Sequence, residues 1–522
     1  MTVEDLKAAK AKWKKVGWKG LADSDKKILL SNKRWRMNHL YYIRDKNGDK
    51  VLFKMNFAQR WLFKNIWYLN IILKARQMGF TTFIDLYILD ECLFNKGVEA
   101  GIIAHNKDDA SKIFRRKIKF PYDNLPADIK EAIYRTSNSK TEMEFSNGSV
   151  ITVGVSFRSG TCQYLHISEF GKICAKYPDK AEEIKSGALE AVAAGQMVFI
   201  ESTAEGRGGD FFDYCQLARK LLDEAIALTK MDYRFHFFPW WQEPEYVLPQ
   251  PEQVLITAEM KQYFDDLLRQ HGIELTDAQK AWYVKKEEKQ GDSMKREYPS
   301  TPDEAFEAAL KGAYWSKLIS FIRQKRQITN VPHDPALQVH TAWDLGRRDT
   351  NPIWFFQHYG NQFRIINFYQ NSGESLAHYA GVLRQYYEKF DYVYGNHYLP
   401  HDVAVTDISA DNSRQVILEN LGVKPIILVK RETDLDAMQG VDAVRRILPM
   451  CWFDKEKCDE LGIAALEAYQ KEWDDKNATF KNRPLHNWAS HAGSAFKILA
   501  QGFEPMIQYS QSNVQPDDEA SY

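Results

Sequence analysis

Hydrophobic and polar positions change period along the chain, and each change predicts an element. Residues 66–75 (IWYLNIILKA) form an apolar, β-branched run, the pattern of a strand buried on both faces. Phe57–Tyr68 before it and Thr81–Asn95 after it carry apolar residues at helical spacing. AGIIAHN (100–106) reads as another buried strand, with a helix beginning near Lys107. From 142 to 157 apolar and polar residues alternate around Asn147-Gly148, which predicts a hairpin. TCQYLHISEF (161–170) and QMVFIEST (196–203) are two further apolar strands. Strands alternating with helices through residue 204 predict a mostly parallel sheet with helices on both faces.

The pattern changes at 230–310, where FHFFPWWQEPEYVLPQPEQV is rich in Pro and aromatics and Lys280–Lys289 is charged and helical. A second α/β pattern starts at VHTAWDLG (339–346). PIWFFQHYGNQFRIINFYQ (352–370) predicts two strands joined at Tyr359–Gln362, followed by a helix at Ser375–Phe390. Strands near Tyr392–Tyr394 and Pro425–Lys430 flank a helix at Ser413–Leu421, which Gly422 would cap. The expected organisation is a basic, peripheral N-terminal segment (1–50), an α/β core (51–230), a linker subdomain (231–330), a second α/β domain (331–504) and a flexible acidic tail (505–522).

Composition adds exclusions. The 522 residues are 44% hydrophobic and 27% charged, ordinary globular usage, which rules out a disordered chain, a collagen-like fibre or a coiled-coil rod. No apolar run approaches the roughly 18–20 residues of a membrane span, and the N-terminus has no leader-like apolar stretch, so no membrane role is expected. Six scattered cysteines without a Cys-x-x-Cys pair argue against a zinc site or a disulfide framework, and for a reducing cytosol. Balanced charge (70 Lys+Arg, 70 Asp+Glu) conceals asymmetry: residues 1–36 carry eleven Lys/Arg against four Asp/Glu. A second basic cluster is Lys112, Arg115, Arg116, Lys117 and Lys119, while the tail holds Asp517, Asp518 and Glu519. Basic segments of this kind either face solvent or neutralise nucleic-acid phosphates.

The candidate chemistry begins where the strand at 66–73 runs into Lys74-Ala75-Arg76-Gln77-Met78-Gly79-Phe80-Thr81-Thr82 and opens a helix. Strand, short loop and helix N-terminus together favour phosphate. Against G-x-x-x-x-G-K-[ST], Gly79 and Thr81 fit, Phe80 stands at the Lys position, and Lys74 occupies the first position. Lys74 could reach the β/γ-phosphates, with Arg76 as second cation and Thr81 or Thr82 on Mg²⁺. Gln59, among Phe57 and Trp61, could read an adenine edge while a ring stacks on it. Glu169 ends the apolar strand before Phe170, where a carboxylate can orient an attacking water. Ser168 takes the position where Asp is usual, and Ser202-Thr203 end the next strand.

In order and strand placement these motifs resemble the large terminase subunit of tailed bacteriophages, over most of the chain. The resemblance implies a RecA-like P-loop ATPase domain followed by an RNase H-like nuclease domain. Gln59 looks like the adenine motif, and Lys74–Thr82, with Gln77 and Gly79 inside it, is similar to a phosphate loop with a displaced Lys. Ser168-Glu169 resembles the acidic strand ending, and Ser202-Thr203 the coupling motif. Arg158, eleven residues before Glu169, is placed like an arginine finger that acts on a neighbouring subunit. Tyr298–Phe306 looks like the signature before the nuclease domain. There Asp344 and Asp402 match carboxylates that hold two divalent cations, Mg²⁺ or Mn²⁺. The third position departs: in His486-Asn487-Trp488-Ala489-Ser490-His491-Ala492-Gly493-Ser494-Ala495, Ser494 replaces an Asp. A neutral hydroxyl is a weak cation ligand, so either the second metal is held weakly or another acid, Asp407, Asp411 or Asp454, fills the role.

What the resemblance implies is an ATP-driven subunit that moves double-stranded DNA into a procapsid and cuts it. Its partners would be the small terminase subunit and the portal protein, in a homo-oligomeric ring on the procapsid, in the cytoplasm of the infected host. The alternative is a nucleic-acid scaffold or recombination factor with a vestigial ATP site.

Overall fold

β3 (Leu69–Lys74), the run first read as a buried strand, is pleated between two cores. Ile72 joins the apolar cluster of Phe80, Phe83 and Ile84, whereas Ile71 and Leu73 join that of Ile167, Ile200 and Phe211. This is why its sequence is apolar at successive positions. The computed structural model describes residues 2–137, 139–157, 161–307, 312–345, 350–405, 412–429, 437–474 and 479–511. By contacts the chain forms two compact units. One covers Met1–Glu205 and Gly209–Ala308; the other covers Ala309–Tyr522 with Gly206–Gly208.

In the first unit a small antiparallel hairpin, β1 (Tyr42–Arg44) and β2 (Lys50–Leu52), precedes the sheet. The sheet comprises β3, β4 (Glu99–Ile103), β5 (Glu142–Glu144), β6 (Val150–Gly154), β7 (Cys162–Ser168), β8 (Val192–Ser202) and β9 (Tyr233–Phe238). Its order is β5-β6-β4-β7-β8-β3-β9, and β5 alone runs antiparallel, paired with β6 in the expected hairpin. β8 lies between the loop-bearing strand and β7, the arrangement of a RecA-like sheet. Leu73 is in register with Ser202, and Ser168 with Glu201, so three strands end side by side. Such carboxyl ends are where open α/β sheets bind ligands.

The N-terminal segment is less peripheral than its charge predicts. The Arg36 guanidinium donates to Asp90 at 2.6 and 2.9 Å, both side chains buried, and the Tyr41 hydroxyl donates to the same carboxylate at 2.6 Å. Lys33 pairs with Glu91, and Lys26 with Asp128 at 2.9 Å, so part of the local basic excess is neutralised within the unit. Arg36→Ala would strand Asp90 as an uncompensated buried charge. It is expected to cost about 3–5 kcal/mol, read as a lowered urea midpoint, and Asp90→Ala in the same chain should add much less than it costs alone.

The residues expected to form a linker subdomain, 231–330, are divided between the two units: those up to 308 belong to the first and the remainder to the second. The aromatics responsible for the change in composition are core residues. Trp240, Tyr246, Phe264, Tyr283 and Tyr298 are buried in the cluster that contains Phe80, and Tyr246 stacks on Trp282 at 4.5 Å.

The second unit holds β10 (Ile328–Thr329), β11 (Val339–Trp343), β12 (Thr350–Tyr359), β13 (Gln362–Ser372), β14 (Tyr394–Pro400), β15 (Ile426–Val429) and β16 (Cys451–Asp454). Their order is β10-β16-β13-β12-β11-β14-β15. β12 is antiparallel to both its neighbours while β11, β14 and β15 are parallel, the RNase H-like core. β17 (Lys471–Asp474) and β18 (Thr479–Pro484) pair antiparallel in a separate two-stranded sheet. The strand expected near Tyr392–Tyr394 runs instead from Tyr394 to Pro400, so His401 and Asp402 follow it directly. The final helix, Ser490–Gln511, continues past Pro505, where a tail was expected to begin; residues 512–522 lie outside the described residues. All six cysteines are buried and free of disulfides. No helix among the described residues is long and apolar enough to cross a membrane.

Candidate functional site

The phosphate-type loop leaves β3 at Lys74 and enters the helix Phe80–Phe94 through Gly79. Gly79 has φ +76°, a conformation that favours glycine, and a Cβ there would lie 2.7 Å from Gln59 Nε2 and displace that amide. Gln59 is buried and braces the loop: its Nε2 donates to the Gly79 carbonyl at 3.0 Å. Its Oε1 accepts the Asn56 N–H at 3.0 Å, in a capping box that starts the helix Phe57–Asn65. The amide expected to read adenine is thus engaged by the chain itself, while Phe57 and Trp61 beside it are exposed.

Lys74 is the centre of a buried charged cluster. Its ammonium lies 2.9 Å from Glu169 Oε1 and 3.0 Å from Glu201 Oε2. Burial alone would lower the pKa of Lys74, but Glu169 and then Glu201 outweigh it and hold the group above its ordinary value. Glu169 follows β7 in the left-handed conformation, φ +58°, and its N–H donates to the Glu201 carbonyl at 2.7 Å. Glu201 Oε1 accepts from Thr81 Oγ1 at 2.7 Å and from Ser168 Oγ at 2.9 Å. Oε2 pairs with Lys74. Burial would raise the Glu201 carboxyl, yet Lys74 and His166 hold it well below the carboxylate range. His166 Nδ1 lies 2.7 Å from Asp85 Oδ1, and its Nε2 is 3.7 Å from Glu201. Burial opposes the charge on His166, but Asp85 and Glu201 raise its pKa to about 9, so the ring is protonated at neutral pH.

Of the residues expected at this site, Lys74, Thr81 and Glu169 converge. Arg76 pairs with Glu297 at 2.7 Å. Gln77, φ +62°, is exposed, and Thr82 is half-buried. Ser202 and Thr203 are buried at the end of β8, with Ser202 Oγ unpartnered. Arg158 lies outside the described residues. Sequence reasoning missed Glu201, His166 and Asp85; the signal available was a charged residue inside each of three strongly apolar segments.

In the second unit Asp344 directly follows β11, and its Oδ2 lies 3.1 Å from His491 Nδ1. Asp402 follows β14, the parallel neighbour of β11. Arg414 Nη2 lies 3.6 Å from the Asp402 carboxylate, and its Nη1 donates to the Leu345 carbonyl at 2.6 Å, tying the two acid-bearing loops together. Ser494 lies three positions after His491 on the final helix, hence on the same face. Asp454 is spent elsewhere, accepting the N–H groups of Val331 and Lys457 at 3.1 and 3.0 Å as a helix cap. Asp407 and Asp411 lie outside the described residues. Among those described, no three His, Cys, Asp or Glu side chains group to hold a metal. Two carboxylates on adjacent strand ends nonetheless fit the oxygen chemistry of one hard cation.

No family model and no curated protein matches the chain. Solved structures do. The large terminase from a thermophilic bacteriophage, in complex with ATP-gamma-S, is 12% identical over 85% of this chain and 96% of that one, with a TM-score of 0.29. The ATPase domain of a Thermus phage large terminase is 14% identical over 49% of this chain and 94% of that one, TM-score 0.31. The P22 large terminase nuclease domain is 11% identical over 34% of this chain and 88% of that one, TM-score 0.27. The solved structures to which the chain is similar are thus a large terminase, a large-terminase ATPase domain and a large-terminase nuclease domain.

Proposed function

We propose that the chain is the ATP-hydrolysing subunit of a viral DNA-packaging motor that also cuts DNA at the second unit. One observation carries this reading: Lys74, Thr81 and Glu169 meet at the carboxyl edge of a RecA-like sheet. Mg²⁺, when bound with ATP, neutralises charge on the β- and γ-phosphates. Thr81 presents its hydroxyl at the helix N-terminus, where phosphates are favoured. Lys74 turns from its carboxylates to the γ-phosphate and counters the spreading negative charge. Glu169, released from Lys74, orients the attacking water and takes its proton. Arg158 of a neighbouring copy supplies the further cation, which makes activity depend on a ring of copies. Double-stranded DNA, a small terminase subunit and a portal protein are its partners in the host cytoplasm.

At the second unit Asp344 and Asp402 would hold Mg²⁺ or Mn²⁺, which polarises the scissile phosphate when bound. His491 fixes the Asp344 carboxylate, and Arg414 fixes the loop of Asp402. Ser494 adds no charge. Ser494→Asp is expected to raise Mn²⁺-dependent plasmid cleavage about tenfold or more, and Asp344→Asn in that background should remove the gain. Unchanged cleavage would place Ser494 away from the metal.

The test of the whole reading is ATP turnover by the full chain with and without double-stranded DNA, together with Mn²⁺-dependent plasmid nicking. DNA-stimulated turnover and nicking support it. Neither activity would favour the scaffold alternative, towards which the substitutions at 168 and 494 lean.

A further inference from the structure

The acidic strand ending of the first unit is incomplete, since Ser168 stands where a metal-holding carboxylate is usual. β8 brings another carboxylate to that place. The Glu201 side chain is fully buried, and its Oε1 accepts both the Thr81 hydroxyl at 2.7 Å and the Ser168 hydroxyl at 2.9 Å. Thr81 is the loop hydroxyl that would face the cation bound with the triphosphate. An acid hydrogen-bonded to that hydroxyl stands where it can orient the metal's ligands. We propose that Glu201, from the strand between β3 and β7, takes over the metal-supporting duty that an Asp at position 168 would have had.

A plain counter-ion role for Lys74 does not account for the arrangement. That role needs only Oε2, 3.0 Å from the ammonium, and leaves unexplained why the Thr81 and Ser168 hydroxyls both converge on Oε1. Buried Oε2 relies on the Lys74 ammonium 3.0 Å away, and a buried acid deprived of its cation is costly. With Lys74 turned to the phosphates, Glu201 and Glu169 would lack their shared cation, and a dication held near Thr81 would restore the balance. His166, held by Asp85 at 2.7 Å, lies 3.7 Å from Glu201 Oε1, the oxygen that the two hydroxyls reach.

This inference rests on the nucleotide reading of the loop, and its test separates the two. A fluorescent ATP analogue is titrated onto the full chain with Mg²⁺ and again with excess EDTA. Wild type should bind more tightly with Mg²⁺. Glu201→Gln should keep the affinity measured in EDTA and lose the Mg²⁺-dependent gain, by about 10–100-fold. Adding Ser168→Asp to Glu201→Gln should restore the gain, because the charge returns from the neighbouring strand. Where Glu201→Gln does not fold, judged by circular dichroism, Glu201→Asp keeps the charge and withdraws it, and the Mg²⁺ gain should still fall severalfold. A folded variant at 201 with an undiminished gain overturns the role of Glu201 while leaving the ATP site standing. Absence of binding by wild type in both buffers overturns the ATP site, and this inference with it.

Discussion

Glu169→Gln is expected to lower ATP turnover by about 10²–10⁴-fold while ATP still binds. The substitution preserves volume and leaves in place the backbone hydrogen bond to Glu201 at 2.7 Å, which holds residue 169 in its left-handed conformation. What disappears is the carboxylate that can take a proton from water. Lys74 keeps its second partner, Glu201 at 3.0 Å, so the loop should hold its shape. Steady-state hydrolysis with DNA, paired with equilibrium binding of an ATP analogue, separates the two effects. Wild-type turnover in this variant would remove Glu169 from the role of base.

Lys74→Ala should do two things at once. Loss of the cation removes charge compensation at the phosphates, so hydrolysis should become undetectable. The fold should suffer too, because Glu201 is left deep in the unit without its main cation; breaking such a pair costs about 3–5 kcal/mol. The joint readout is ATPase rate and urea midpoint, and Lys74→Arg should recover much of the second but little of the first, since the guanidinium keeps charge but not shape. Phe80, at the position where a lysine is usual, gives the control. It is buried and packs on Phe238 at 4.3 Å, so Phe80→Ala would cost core stability. Phe80→Leu is the milder choice, and hydrolysis per folded molecule should change little. Full activity in Lys74→Ala would show that the phosphates lie elsewhere.

Much of the fold was legible because both sheets are built from segments whose period is unambiguous. The periodicity predicts the carboxyl ends of β3, β7 and β8 to within a few residues, and with them the positions of Lys74, Thr81 and Glu169 relative to those ends. It does not predict the acids and the histidine behind them. Thr81 and Glu201 are 120 positions apart, and a carboxylate inside QMVFIEST registers locally as an interruption of a strand. Only the strand order reveals that it faces a lysine. Gln59 illustrates a competing local reading: Asn56 and Gln59 satisfy a capping box, and the structure uses the amide in that way as well as against Gly79. The stretch from 235, rich in Pro and aromatics, reads as part of a linker, whereas its rings enter the core of the first unit. Whether a ring is packed or exposed depends on what lies opposite, which periodicity does not report.

The six buried thiols have a practical corollary for labelling. The thiolate, not the thiol, attacks a maleimide, and burial raises Cys162 to about 11 and Cys174 to about 12, with Cys92, Cys215, Cys451 and Cys458 also pushed up. At neutral pH the native chain therefore offers a dye almost no nucleophile. A cysteine placed at an exposed position such as Met231 in one unit and another at Tyr359 in the other would take the donor and acceptor of an energy-transfer pair without first stripping the native cysteines. Distances between the units during turnover then become measurable on a chain whose interior is unaltered.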